Sequence, residues 1–186
     1  MNKDVMYEDY QLIEDAQAGN ITAFEQLVAK YQKKIYGIAY NMIFDKYEAD
    51  DITQVVFITL WKSLKHIKDI NKFRTWLYRT TVNKAIDAIR KKKRDRTYDL
   101  ELVKTFSEHD KTIMIRHDVE KIYRSVAKKL PEQQRAVFML KDIYEMEVSE
   151  IAEVLEISES TVRSHLSLAR LNFQKEIKEH YPEYKI

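Results

Sequence analysis

From residue 22 to residue 43 apolar side chains recur at three- and four-residue steps: Phe24, Leu27, Val28, Tyr31, Ile35, Ile38, Ala39 and Met42. That spacing keeps returning to one side of a 3.6-residue repeat and predicts an amphipathic helix. Thr22 followed by Glu25 has the form of a capping box at its start. A second helix is expected from Lys46 to Leu64, with Ile52, Val55, Val56, Thr59 and Leu60 on one face. Its first turn is crowded with acids, where the helix dipole favours them. The periodicity lapses over 65–72, which reads as a loop. It resumes from Phe73 to about Arg94 along Trp76, Leu77, Thr80, Ile86 and Ile89.

Beyond Asp95 the pattern breaks into a mixed polar segment that lasts to about Ile113. It reads as a linker, in which Leu100–Phe106 could form a short docked helix. Helical spacing returns over 114–129, and Pro131 suits the first turn of a further helix, 131–143. Two more follow, 149–155 behind Ser149 and 159–180 behind Ser158, each serine placed as an N-cap. No repeat of solenoid length is present. The expected fold class is therefore all-α. It comprises two small helical domains, 1–95 and 116–186, joined by a flexible linker, 96–115.

Composition sharpens this reading. Of 186 residues 45% are hydrophobic, enough for a packed core, while Gly and Pro number two each, too few for a hairpin-rich β fold. The absence of cysteine removes disulfide scaffolds, thiolate metal sites and cysteine nucleophiles together. No apolar run approaches the roughly 20 residues of a membrane span. The acidic start lacks the apolar core of a signal peptide, so a cytoplasmic protein is expected. Net charge is only +2, but the charges are segregated. Residues 73–96 hold nine Lys/Arg against two Asp, whereas Tyr47–Asp51 holds three acids and no base. Such segregation suits more than one charged partner.

The segment 148–178 has the layout of a helix-turn-helix. A short helix meets a three-residue turn, Glu156–Ser158, and then a longer helix. Ile151, Ala152, Leu155, Ile157, Val162 and Leu166 are the expected core, and His165 falls close to it as a packing residue or an outward one. The outward residues of the second helix would be Glu159, Ser160, Thr161, Arg163, Ser164, Ser167 and Arg170. Arginine can grip guanine or phosphate bidentately and serine can contact either, so this set suits a helix lying in a major groove.

Residues 130–170, opening on Leu130-Pro131-Glu132, resemble the fourth conserved region of bacterial RNA polymerase sigma factors. Residues 47–64 and 73–94 resemble the second region, through Ala49, Asp51, Ile52, Gln54 and Phe57, then Phe73, Trp76, Leu77, Asn83 and Asp87. The resemblance runs from about residue 10 to 178 and points to the small, extracytoplasmic-function group. It implies a sigma region-2 helical bundle and a sigma region-4 helix-turn-helix. It also implies a function without catalysis or cofactor: binding core RNA polymerase and directing promoter-specific transcription initiation. Two departures stand out. Glu156 occupies a turn position where glycine is usual, and His165, Ser167 and Leu168 stand where the family is more basic.

The same resemblance assigns roles. Asp50, Asp51 and Gln54 would dock on the polymerase, where an acidic, amide-bearing face suits an arginine-rich partner. For Asp51, simple dipole compensation is the competing explanation. Melting DNA without ATP calls for a pocket, a stacking surface and phosphate anchors for an unstacked non-template base. The minus-ten candidates are His66, Lys68, Asn71 and Lys72 in the loop, with Arg74, Arg79, Asn83, Lys84, Asp87, Arg90, Lys91 and Lys92 on the helix after it. Asn83 and Asp87, one turn apart, could hydrogen-bond each other or shape the pocket. Trp76 and Phe73 are expected to pack inward, and Arg90–Arg94 could simply be a solvated helix end.

The minus-thirty-five element would fall to the C-terminal helix. Expected partners are core polymerase, promoter DNA as duplex and as non-template single strand, and an anti-sigma factor, with no small-molecule substrate. The linker acids Asp99, Glu101, Glu108 and Asp110 could mimic nucleic acid. A plain helix-turn-helix regulator would leave both N-terminal motifs unexplained. A metal-dependent nuclease built on Asp50 and Asp51 fails because adjacent helical residues point about 100° apart.

Overall fold

The structure, a computed structural model, describes the backbone of residues 3–98 and 114–180 and the side chains of 9–95 and 122–179. The described residues are helical throughout apart from short connections. The helices are α1 (Lys3–Gln17), α2 (Ile21–Ile43), α3 (Lys46–Ser63), α4 (Phe73–Tyr98), α5 (Met114–Lys129), α6 (Glu132–Phe138), α7 (Val148–Leu155) and α8 (Glu159–His180). They fall into two compact units, Met1–Ala85 with Glu153–Glu156, and Ile86–Ala152 with Ile157–Ile186.

In the first unit α2 is the central helix and packs against both α1 and α3. Leu27, Ile35, Ile38 and Met42 on its inner stripe are fully buried. Ile13 of α1, Val56 and Leu60 of α3, and Phe73 and Leu77 of α4 are buried as well, and the Phe73 ring lies edge-on to Tyr31 of α2. Truncating any of these large side chains to alanine is expected to cost about 2–5 kcal/mol.

The start of α2 differs from the expected capping box. Asn20 is the N-cap, its side chain accepting from Ala23 N–H at 3.1 Å, while Thr22 sits exposed inside the first turn. The reason lies one residue earlier. Gly19 takes φ +98° to end α1, and that left-handed step delivers Asn20 in the extended conformation that a cap needs. Phe44 ends α2 in the same left-handed region, φ 58°, and Asp45 then caps α3 by accepting from Glu48 N–H at 3.2 Å.

The expected loop 65–72 is two short 3-10 turns, Leu64–His66 and Ile70–Lys72. Gln17 anchors the first of them, its amide donating to the carbonyls of Leu64 and Ile67 at 2.9 Å each. Asp69 accepts from Asn71 N–H at 3.1 Å and organises the second. Helix α4 runs on to Tyr98, past the expected end near Arg94, and α5 begins at Met114. The ends of the expected linker are thus helical. Leu100–Phe106 and the linker acids lie outside the described residues.

The first unit also holds a polar group inside its core. Asp9 of α1 is 5% exposed, accepts from the Tyr31 hydroxyl at 2.5 Å and is 2.8 Å from Lys30 Nζ. Burial, reinforced by the bond to Asp9, drives the Tyr31 hydroxyl far above the usual phenol range. Thr81, fully buried on α4, donates to Leu77 C=O at 2.8 Å. No buried polar side chain of this size can be left unpaired cheaply, and these are not.

In the second unit three rings stack between α5, α6 and α8. Phe138 and Phe173 lie 4.1 Å apart at 9°, and Tyr123 stacks on both at 6.1 and 5.9 Å. Pro131 is the residue before α6 and not its first helical one. Arg135 is buried and donates to the carbonyls of Lys128 and Leu130, closing the end of α5. After Phe138 the helix widens into a π turn, Met139–Ile143.

Candidate functional site

The turn and helix that the sequence pattern singles out follow α7 in the chain. Helix α7 opens one residue before the expected cap: Ser149 lies inside the first turn, and the Glu147 N–H instead donates to the Glu150 carboxylate at 3.0 Å. The turn is as read, with Glu156 at φ 55°, the conformation that favours glycine. Ser158 caps α8 by accepting from Thr161 N–H at 3.1 Å, and its hydroxyl also meets those of Ser160 and Thr161.

The core beneath this motif differs from the expected one. Ile151, Val162 and Leu166 are buried, but Ala152, Leu155 and Ile157 are only half-buried. Val154, Ala169 and Phe173 complete the packing. Val154 and Leu155 stand three and four residues after Ile151, on either side of its stripe, and Val154 is the one buried. His165 is half-buried with Nδ1 enclosed and without a hydrogen-bond partner, which is the packing role of the two considered.

Glu159, Ser160, Arg163, Ser164, Ser167 and Arg170 are exposed along α8, and Thr161 is half-buried. Arg163 pairs with Glu159 at 2.6 Å. Arg170 donates from Nε and Nη2 to Asp142 of the π turn at 3.1 and 2.5 Å, which holds its guanidinium more firmly protonated than usual against the opposing effect of burial.

In the first unit Asp50, Asp51 and Gln54 are exposed on α3. Beside them stands a feature that the sequence reading missed. Val55, expected in the core, is 42% exposed, and Tyr47, Ile58 and Trp61 are exposed too. Tyr47, Asp51, Gln54, Ile58 and Trp61 follow at four- and three-residue steps and form one outward stripe. Trp61 is braced edge-on by Phe24, ring centres 4.7 Å apart. The signal was present: α3 is apolar on two sides, Ile52, Val56 and Leu60 facing in and Val55, Ile58 and Trp61 facing out. One face fills the core, so the other is exposed and surplus to folding.

His66, Lys68, Asn71 and Lys72 are exposed on the two 3-10 turns. Asn83, Lys84, Asp87, Arg90, Lys91 and Lys92 are exposed on α4, with no hydrogen bond between Asn83 and Asp87. Arg79 is half-buried. Arg74 is also half-buried; burial lowers its affinity for the proton, but Tyr78, Tyr31 and Asp9 outweigh that and keep it firmly charged. It belongs to the internal polar group around Asp9. Trp76 is half-buried and Phe73 fully so.

An exposed apolar stripe on α3 and a helix-turn-helix formed by α7 and α8 give this all-helical protein the layout of a DNA-binding transcription protein. The family model for sigma-70 region 2 matches residues 27–95, and that for sigma-70 region 4 matches 121–172. The chain is 32% identical to the ECF RNA polymerase sigma factor SigW of Bacillus subtilis over 90% of its length and 95% of the relative's. It is 31% identical to the RNA polymerase sigma-H factor of Pseudomonas aeruginosa, covering 88% of this chain and 90% of that one. Among solved structures, that of CnrH in complex with the cytosolic domain of CnrY superimposes with a TM-score of 0.72. The identity is 26%, covering 93% of this chain and 99% of that chain. The chain belongs to the extracytoplasmic-function group of RNA polymerase sigma factors, which direct promoter-specific transcription initiation. Among the described residues, no helix is long and apolar enough to cross a membrane.

Proposed function

We propose that the three surfaces divide the work of initiation. The α3 stripe docks on core polymerase through Asp50, Asp51 and Gln54 together with Tyr47, Val55, Ile58 and Trp61. The 3-10 turns and the exposed cations of α4 take the minus-ten element and its displaced strand. Residues Glu159, Ser160, Thr161, Arg163, Ser164, Ser167 and Arg170 of α8 face the minus-thirty-five element. On this reading 1–95 is the docking and melting domain, 96–115 the linker and 116–186 the upstream-element domain. The protein acts in the cytoplasm, contributes no catalytic group and has an anti-sigma factor as a further partner.

The observation that carries the docking role is the second apolar face of α3. An acidic tip followed by Ile58 and an exposed tryptophan has the composition of an interface centre, where aromatic anchors supply most of the affinity and charges set register and rate. The test is reconstitution with bacterial core polymerase and transcription from a pool of promoter fragments. Asp51→Lys and Trp61→Ala should each weaken association with core at least tenfold, corresponding to an anchor of more than about 1.4 kcal/mol. Binding of duplex DNA by the chain alone, with no effect on initiation, would instead identify a plain regulator.

A further inference from the structure

Residues 136–174 run from the π turn and the short helix before it through the turn of the helix-turn-helix to the first four turns of α8. They hold three basic residues, Lys141, Arg163 and Arg170, against seven acids, a formal balance of −4. A surface that grips duplex DNA normally carries the opposite sign, because cations that neutralise phosphates release bound counterions. Each of the three is moreover engaged within the unit. Arg163 is paired to Glu159 at 2.6 Å, and Arg170 to Asp142 through two hydrogen bonds. Lys141 Nζ donates to Met146 C=O at 3.0 Å and lies 3.7 Å from Glu147. On α8 the positions of Glu159, Arg163 and Arg170 fall along one edge, beside the serines at 160, 164 and 167. Asp142 reaches that edge from the π turn.

Taking α8 as the minus-thirty-five reader, we infer that Glu159 and Asp142 gate it, each occupying the arginine that a DNA phosphate must win. Gripping DNA is then an exchange of one anion for another, with the carboxylate released to water. The pairs are built to be exchanged. Their side chains are 62% and 47% exposed at Arg163–Glu159, and 52% and 25% at Arg170–Asp142. Exposed pairs hold weakly, whereas the bidentate Arg170–Asp142 pair is the firmer of the two gates. The consequence is a recognition helix with little sequence-independent affinity of its own. It closes on DNA when the rest of the polymerase complex holds it there at high effective concentration.

The test uses holoenzyme reconstituted from core polymerase and the full chain, bound to a promoter fragment recovered from the transcription pool, with salt varied. Glu159→Gln and Asp142→Asn should each tighten binding on the order of three- to tenfold and steepen the salt dependence by about 0.9 in log–log slope. Arg163→Gln and Arg170→Gln should weaken it and flatten the slope. Weaker or unchanged binding by both acid variants, with the arginine variants impaired, would mean that the carboxylates hold the arginines in place for DNA, and the gate would be overturned. Unchanged binding by the arginine variants would remove α8 as the reader, and with it both proposals.

Discussion

Replacing Tyr31 with phenylalanine isolates one hydrogen bond in the core of the first unit. The hydroxyl donates to Asp9 at 2.5 Å, and Asp9 is 5% exposed with Lys30 at 2.8 Å on its other oxygen. Phenylalanine keeps the ring, including its edge-on contact with Phe73 at 5.6 Å, so packing is conserved and only the donor is lost. A buried carboxylate short of one donor costs about 1–3 kcal/mol.

The assay follows from the sequence. The two tryptophans, Trp61 and Trp76, both lie in the first unit, so their fluorescence in a urea titration reports on that unit alone. With a urea dependence of roughly 1–2 kcal/mol per molar, the midpoint should fall by about 1 M at pH 7.

Alkali supplies an independent second leg. The Tyr31 pKa is raised in the folded state, so its contribution is complete below the unfolded value of 10.0 and is lost as pH rises above it. The wild type should therefore lose up to about 1.4 kcal/mol per pH unit above pH 10 that the variant does not. The two stability curves should converge there, while Lys30, Arg74 and Tyr78, which surround the site, are common to both proteins. A midpoint unchanged at pH 7, or a gap that stays constant between pH 8 and 11, would refute the assignment of that bond.

In the second unit, Phe173→Ala removes one of the three mutually contacting rings of Tyr123, Phe138 and Phe173 and should cost about 3–5 kcal/mol. It should lower a melting transition seen by far-ultraviolet circular dichroism while leaving tryptophan fluorescence nearly unmoved. Asn20→Ala should destabilise the first unit by about 1 kcal/mol and Thr22→Ala by much less, in the same urea titration. The reverse order would restore the capping box that Thr22 and Glu25 suggest.

Most of the helical framework was legible because it depends on local periodicity. The stripes of α2 and α4, the cap at Ser158 and the turn at Glu156–Ser158 are each set within a few residues of chain. Caps were less legible where two neighbours could serve: Asn20 won over Thr22 because Gly19 fixes the backbone before it, and Ser149 lost to a helix that starts one residue sooner. Which of two apolar faces of α3 is buried cannot be read from α3, since Val55 and Val56 are the same residue on adjoining positions. Only its packing against α2 decides it.

The sequence by itself determined an all-helical chain with two family motifs in order, because helix spacing and motif spacing are properties of the unfolded string. Tertiary structure decided what distant residues do to one another. Asp9 carries no sign in the sequence of being buried until α1 lies on α2 and brings it to Tyr31, 22 residues away. Arg170 reads as a free cation until the π turn brings Asp142 to it across 28 residues. Burial and charge pairing depend on what approaches in space, and sequence separation holds no record of that.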